Sequence, residues 1–119
     1  MNILNWLGGF FSKSGRAMSL YKRGMARAKK HDHQGAIGDY TAAIEMPDTP
    51  ADLKAMALYN RATVYAVVGE KSKATDDLNV VLAMPQELTD IKTEARRKLM
   101  RMERRSKSDS SSDSSKDTK

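Results

Sequence analysis

The chain has 119 residues, room for one small domain. It holds no cysteine, which excludes disulfides, thiol catalysis and cysteine-ligated zinc. Its formal net charge of +6 admits nucleic acid, anionic lipid or an acidic peptide as partner without choosing among them.

Residues 1–15 form an amino-terminal amphipathic segment. Asn2, Asn5, Gly9 and Ser12 share one helical face, and Ile3, Leu4, Trp6, Leu7, Phe10 and Phe11 fill the rest. No positive n-region precedes them and Gly8-Gly9 interrupt the run, so a signal peptide is not expected. No apolar run approaches the roughly 20 residues that cross a bilayer, and a cytoplasmic location is expected. Two fates suit the segment. It folds over the open end of the domain, or it lies on a membrane surface with Lys13 and Arg16 behind it. The two glycines each cost about 1 kcal/mol in a helix interior, so helix is expected here only on docking.

Residues 17–30 predict the first helix of the domain, with Leu20, Gly24 and Arg27 on one face and Met18, Tyr21, Met25 and Ala28 on another. Gly24 lets a neighbouring helix approach closely. His31-Asp32-His33-Gln34-Gly35 reads as a turn in which Asp32 caps the next helix, residues 34–46. The two histidines and Asp32 fall short of the four groups that a closed metal site needs, and no metal is expected. Pro47-Asp48-Thr49-Pro50 breaks the chain. Thr49 as cap, Pro50 at the first helical position and Asp52 in the first turn predict a helix to Val68, ended by Gly69. A fourth helix spans 71–83, stopped by Met84-Pro85.

These helices repeat. Ala17, Met18, Leu20, Tyr21 and Arg23 return 38 residues later as Ala55, Met56, Leu58, Tyr59 and Arg61. Ala28, Ala36, Asp39, Met46 and Pro47 return as Ala66, Ala74, Asp77, Met84 and Pro85. Such a period means one two-helix unit used more than once. Residues 89–105 copy the first half only: Asp90, Lys92 and Ala95 match Asp52, Lys54 and Ala57. Arg96 and Glu103 stand where the repeat has Leu58 and Tyr65, so nothing stacks beyond, and this is a capping helix. Ile91, Ala95, Leu99 and Met102 are expected to face the preceding repeat. Residues 106–119 are serine, aspartate, lysine and threonine with no apolar side chain, a composition that predicts disorder. Ser106, Ser110 and Ser114 each have an aspartate three residues on, the spacing that acid-directed kinases favour.

The helix pairs resemble the tetratricopeptide repeat family. The pattern of small residues, aromatic and closing proline is met by Gly24, Ala36, Tyr40, Ala43 and Pro47, then by Ala62, Ala74, Leu78, Val81 and Pro85, with Tyr65 and Gly69 in their family places. Arg27 departs from the pattern, replacing the packing tyrosine of the first repeat. The resemblance implies an all-α fold of antiparallel helix-turn-helix repeats, residues 17–50 and 51–87, with a capping helix at 88–105, the whole domain being 16–105. It implies a protein-interaction scaffold with a concave face carrying Met18, Tyr21, Met25, Met56, Tyr59, Thr63, Glu94, Arg97 and Arg101. The ligand implied is a protein or peptide, with an acidic group for the arginines. Asn60 sits where one branch of the family holds a peptide's terminal carboxylate. Tyr21, Met25 and Glu94 replace the other clamp residues, so that clamp is not expected.

No Gly-rich phosphate loop and no serine-histidine-acid arrangement is present, so neither enzyme activity nor a cofactor is expected. The basic cluster on residues 96–107 could neutralise phosphates of nucleic acid or anionic lipid; it has no interleaved aromatic, which speaks against nucleic acid, and with the amino-terminal segment it offers the alternative of a peripheral membrane adaptor. Two repeats fall short of about three for independent stability, so either the amino-terminal segment docks or the protein self-associates.

Overall fold

The computed structural model describes the backbone of residues 3–116 and the side chains of residues 15–109. Among these the chain forms five helices and no strand: α1 (Ile3–Lys29), α2 (His33–Glu45), α3 (Ala51–Val67), α4 (Lys71–Leu82) and α5 (Thr89–Lys116). Each helix packs on the next, and α3 also touches α1 and α5. No helix among the described residues is long and apolar enough to cross a membrane.

α3 sits at the centre because it is apolar on two sides. Leu53, Ala57 and Val64 join a core with Ala17, Tyr21, Ala36 and Tyr40. Ala55, Leu58 and Ala62 join a second core with Ala74, Leu78, Val81 and Ala95. Buried alanines recur on α1 to α5 and let the backbones approach, as a short chain with few large apolar residues requires. Ile91, Leu99 and Met102 of α5 pack against the second core as expected, while Arg96 and Glu103 are exposed.

The close approach at Gly24 is real. A Cβ there would lie 2.7 Å from Cε1 of Tyr40, whose ring is almost fully buried. The packing stripe of α1 is Ala17, Tyr21 and Gly24, which cuts across the two faces expected from periodicity. Tyr21 and Tyr40 meet at 5.9 Å between ring centroids, and that contact fixes the rotation of the helix.

Two element boundaries differ from expectation. α1 runs unbroken through Gly8-Gly9, so the amino-terminal segment and the first repeat helix are one element. Once residues 17–29 are packed, each further residue adds a hydrogen bond without a new nucleation cost, enough to pass two glycines. The predicted docking of Trp6, Phe10 and Phe11 falls outside the described side chains. At the other end α5 continues past Arg105 to Lys116, where composition predicts disorder; the same propagation applies, and Ser106–Asp109 extend it as exposed turns.

The caps explain the turns. Asp32 accepts from Gly35 N at 3.0 Å, as expected of a cap. Thr49 does not cap α3; its hydroxyl donates to Ala43 O at 2.7 Å and ties the interrepeat turn to α2. Gly69 closes α3 with φ +86°, and Glu70 N donates back to Tyr65 O at 2.8 Å. The same turn closes α1, with Asp32 N donating to Arg27 O at 2.9 Å, but the left-handed position is filled by His31 at φ 63°. A side chain there costs about 1 kcal/mol. His31→Gly is therefore expected to raise stability by about that amount, read as a higher urea midpoint. An unchanged or lower midpoint would contradict it.

Candidate partner-binding face

Two matching brackets tie α1 to α2 and α3 to α4. Arg23 of α1 donates through Nε and Nη2 to Asp39 of α2 at 2.9 and 2.8 Å. Arg61 of α3 donates in the same way to Asp77 of α4, both at 2.7 Å. Both aspartates are buried. These four residues are the duplicated Arg and Asp of the sequence repeat, and each pair joins the two helices of its own unit.

The brackets differ in their third member. Arg27 adds a second cation to Asp39, with Nη1 at 3.2 Å from each oxygen. At the equivalent place Tyr65 lies under the Arg61 guanidinium at 5.6 Å. Arg61 also donates to Thr41 of α2 at 3.0 Å, so it links three helices. The Arg23 hydrogen bonds, assisted by the charges of Arg23 and Arg27, hold the Asp39 carboxyl below its ordinary 3.8 against the opposing effect of burial. A lowered carboxylate stabilises the fold above its unfolded value and loses that contribution as pH falls through its folded value. Thermal midpoints are expected to drop below about pH 4, and Asp39→Asn should flatten that limb. An equally steep acid limb in Asp39→Asn would reject this origin.

The predicted contact residues divide into two groups. Met18 and Met56 are exposed, at 39% and 40%, on equivalent positions of α1 and α3. Tyr59 is half-buried, with the Lys98 ammonium 5.7 Å from its ring centroid. Arg97 pairs with Glu94 at 2.9 Å, and Arg101 is exposed. The others serve the fold. Tyr21 is 6% exposed and accepts from Asn60 Nδ2 at 2.9 Å, tying α1 to α3. Met25 packs against the first core, and the Thr63 hydroxyl donates to Tyr59 O at 3.1 Å. Asn60, where the resemblance would place a terminal-carboxylate contact, is thus engaged by Tyr21.

Two hollows mark the face. One of about 260 Å³ lies between the starts of α3 and α5, with Met56, Leu88 and Ile91 rimmed by Asp52, Glu87 and Asp90. The second, about 290 Å³, runs along α5 beside Arg97, Met100, Arg101 and Arg104. The exposed side of α5 thus grades from acid to base. Met100, 49% exposed, was not among the residues expected from sequence, and Lys98 was expected as part of the basic cluster but not as a contact residue. The spacing of Arg97, Arg101 and Arg104 was the available signal, since those intervals place the three on one helical stripe with Met100 at its edge. Burial lowers the Lys98 amine from its ordinary value, and the charges of Arg101 and Arg105 push it the same way. Among the described residues no group of histidines and acids is arranged to hold a metal ion.

Comparison with known proteins returns no match: no family model, no curated protein and no solved structure.

Proposed function

We propose that the chain is a tetratricopeptide-like interaction scaffold of two repeats and a capping helix, acting in the cytoplasm and binding a peptide or partner protein across α1, α3 and α5. The observation that carries the reading is the pair Met18 and Met56. They hold the same place in the two repeats and are about equally exposed, while their neighbours Ala17 and Ala55 are fully buried. Exposed methionines are adaptable apolar contacts, and single-residue scatter does not explain their recurrence at one register. The graded charge of α5 supplies polar contacts beside them.

The test is a double substitution, Met18→Ser with Met56→Ser. Both side chains lie outside the two cores, so the thermal midpoint should shift by no more than a few degrees. Partners crosslinked by the natural chain should be lost by the variant. Equal retention by both proteins would remove the reading.

A further inference from the structure

Among the described residues, the strongest unbalanced feature is the basic side of α5. Arg101, Arg104 and Arg105 make no ion pair among the described residues, and Arg97 has only exposed Glu94. Lys98 is held half-buried against the Tyr59 ring, likewise with no carboxylate partner. Glu103, the nearest acid in sequence, turns to the opposite side, where it lines a hollow with Leu99 and Met102 facing Lys71 and Thr75 of α4. Like charges are therefore crowded on one surface with Glu94 as their one ion-paired acid among the described residues, which opposes folding by itself and favours an anionic occupant.

The spacing adds a specification. Arg97, Arg101 and Arg105 follow one another at four-residue intervals, about 6 Å apart along the helix axis. In an extended peptide, side chains on one face recur every second residue, about 6.7 Å apart. The two rulers agree over three contacts. A block of consecutive acids in an extended peptide would aim every other carboxylate away from the arginines.

We propose that the basic side of α5 binds an extended acidic peptide whose acids alternate, each facing carboxylate meeting one of Arg97, Arg101 and Arg105. Met100 and Arg104 flank this track, and Met100 gives an apolar contact to the aliphatic stem of a facing side chain. Lys98, fixed by Tyr59, closes the α3 side. The surface suits a peptide better than lipid, because Met100 is the one exposed large apolar residue on it, too little for insertion. It suits a peptide better than RNA, because the Tyr59 ring is already covered by Lys98 and offers no stacking platform.

The inference rests on the scaffold reading of the same face, and one experiment separates the two. Fluorescence anisotropy is measured on the full chain with a labelled peptide that alternates glutamate and serine. A second peptide has the same composition with its glutamates in one block. The alternating peptide should bind about tenfold tighter, the weight of one charge-assisted hydrogen bond. Arg101→Gln should weaken it about tenfold, whereas Lys30→Gln, which removes the same charge from the α1–α2 turn, should change it less than about twofold. Equal affinity for the two peptides overturns the register. Binding to phosphatidylserine vesicles or single-stranded RNA with none to either peptide overturns the occupant, and no binding at all overturns it too. If the peptides fail while Met18→Ser/Met56→Ser still loses its partners, the scaffold reading stands alone. If the alternating peptide binds and the methionine variant keeps its partners, the apolar face is at fault instead.

Discussion

Arg61→Met is expected to destabilise the protein by about 3 kcal/mol, a fall in thermal midpoint of about 15 °C for a domain this size. The reason is what the substitution leaves behind. Methionine keeps most of the aliphatic stem of Arg61, so little packing is lost. Asp77 is 5% exposed and accepts hydrogen bonds from Arg61 alone among the described residues. Without that guanidinium it becomes a buried charge with no counterion. Arg23→Met should cost distinctly less, because Arg27 still offers its Nη1 to both oxygens of Asp39 and Arg23 is itself largely exposed. The double substitution Arg61→Met with Asp77→Leu should recover most of the loss, since an apolar pair of similar volume removes the stranded charge. Chemical denaturation of the natural chain, these three variants and Asp77→Leu alone checks the whole set. Equal costs for Arg23→Met and Arg61→Met, or simple addition in the double variant, would show that the brackets are incidental.

Tyr40→Ala should lower stability by about 4 kcal/mol, because it empties the largest fully buried side chain beside a helix that cannot move closer. Burial is deep enough to push the Tyr40 phenol up to about 12. Its ring occupies the space that Gly24 leaves open, and that relation predicts a coupling. Gly24→Ala alone should destabilise by about 1 kcal/mol: overpacking against the ring outweighs the gain in helix propensity. In the Tyr40→Leu background the same substitution should become neutral or stabilising. That combination reproduces the second repeat, where Ala62 and Leu78 take the places of Gly24 and Tyr40, both fully buried. Urea midpoints from the four members of the cycle give the coupling directly. Additivity within about 0.3 kcal/mol would mean the backbone relaxes and the fit is not specific.

Much of this architecture was legible in the letters. The period of 38 residues is read by comparing the letters directly. Asp32 as a cap, Gly69 as a terminator and the polar far side of residues 89–105 each follow from local chemistry. They involve residues within a turn or two of each other, where side-chain type alone decides the hydrogen bond or the exposure. The matched Arg and Asp were visible as repeated letters, yet their pairing was not. Arg23 and Asp39 lie sixteen positions apart, and only the angle at which α1 and α2 pack brings them together.

The candidate face was half legible for the same reason. Periodicity put Met18, Tyr21 and Met25 on one side of α1 but gave no way to decide which edge of that side meets α2. The contact between Tyr21 and Tyr40 decides it, burying Tyr21 and leaving Met18 in water. Thr49 likewise has the chemistry of a cap and is drawn instead to the carbonyl of Ala43, which the sequence could not place within reach.

The sequence by itself determined the helical periods and the polarity of the last helix, because each depends on side chains close along the chain, and it displayed the duplicated unit as matching letters. The tertiary structure decided the helix rotations, the Arg–Asp brackets and the grouping of Lys98 with Tyr59 beside the arginines of α5. Those depend on how neighbouring helices interlock, and that is set by the volumes of Gly24, Tyr40, Ala62 and Leu78 taken together.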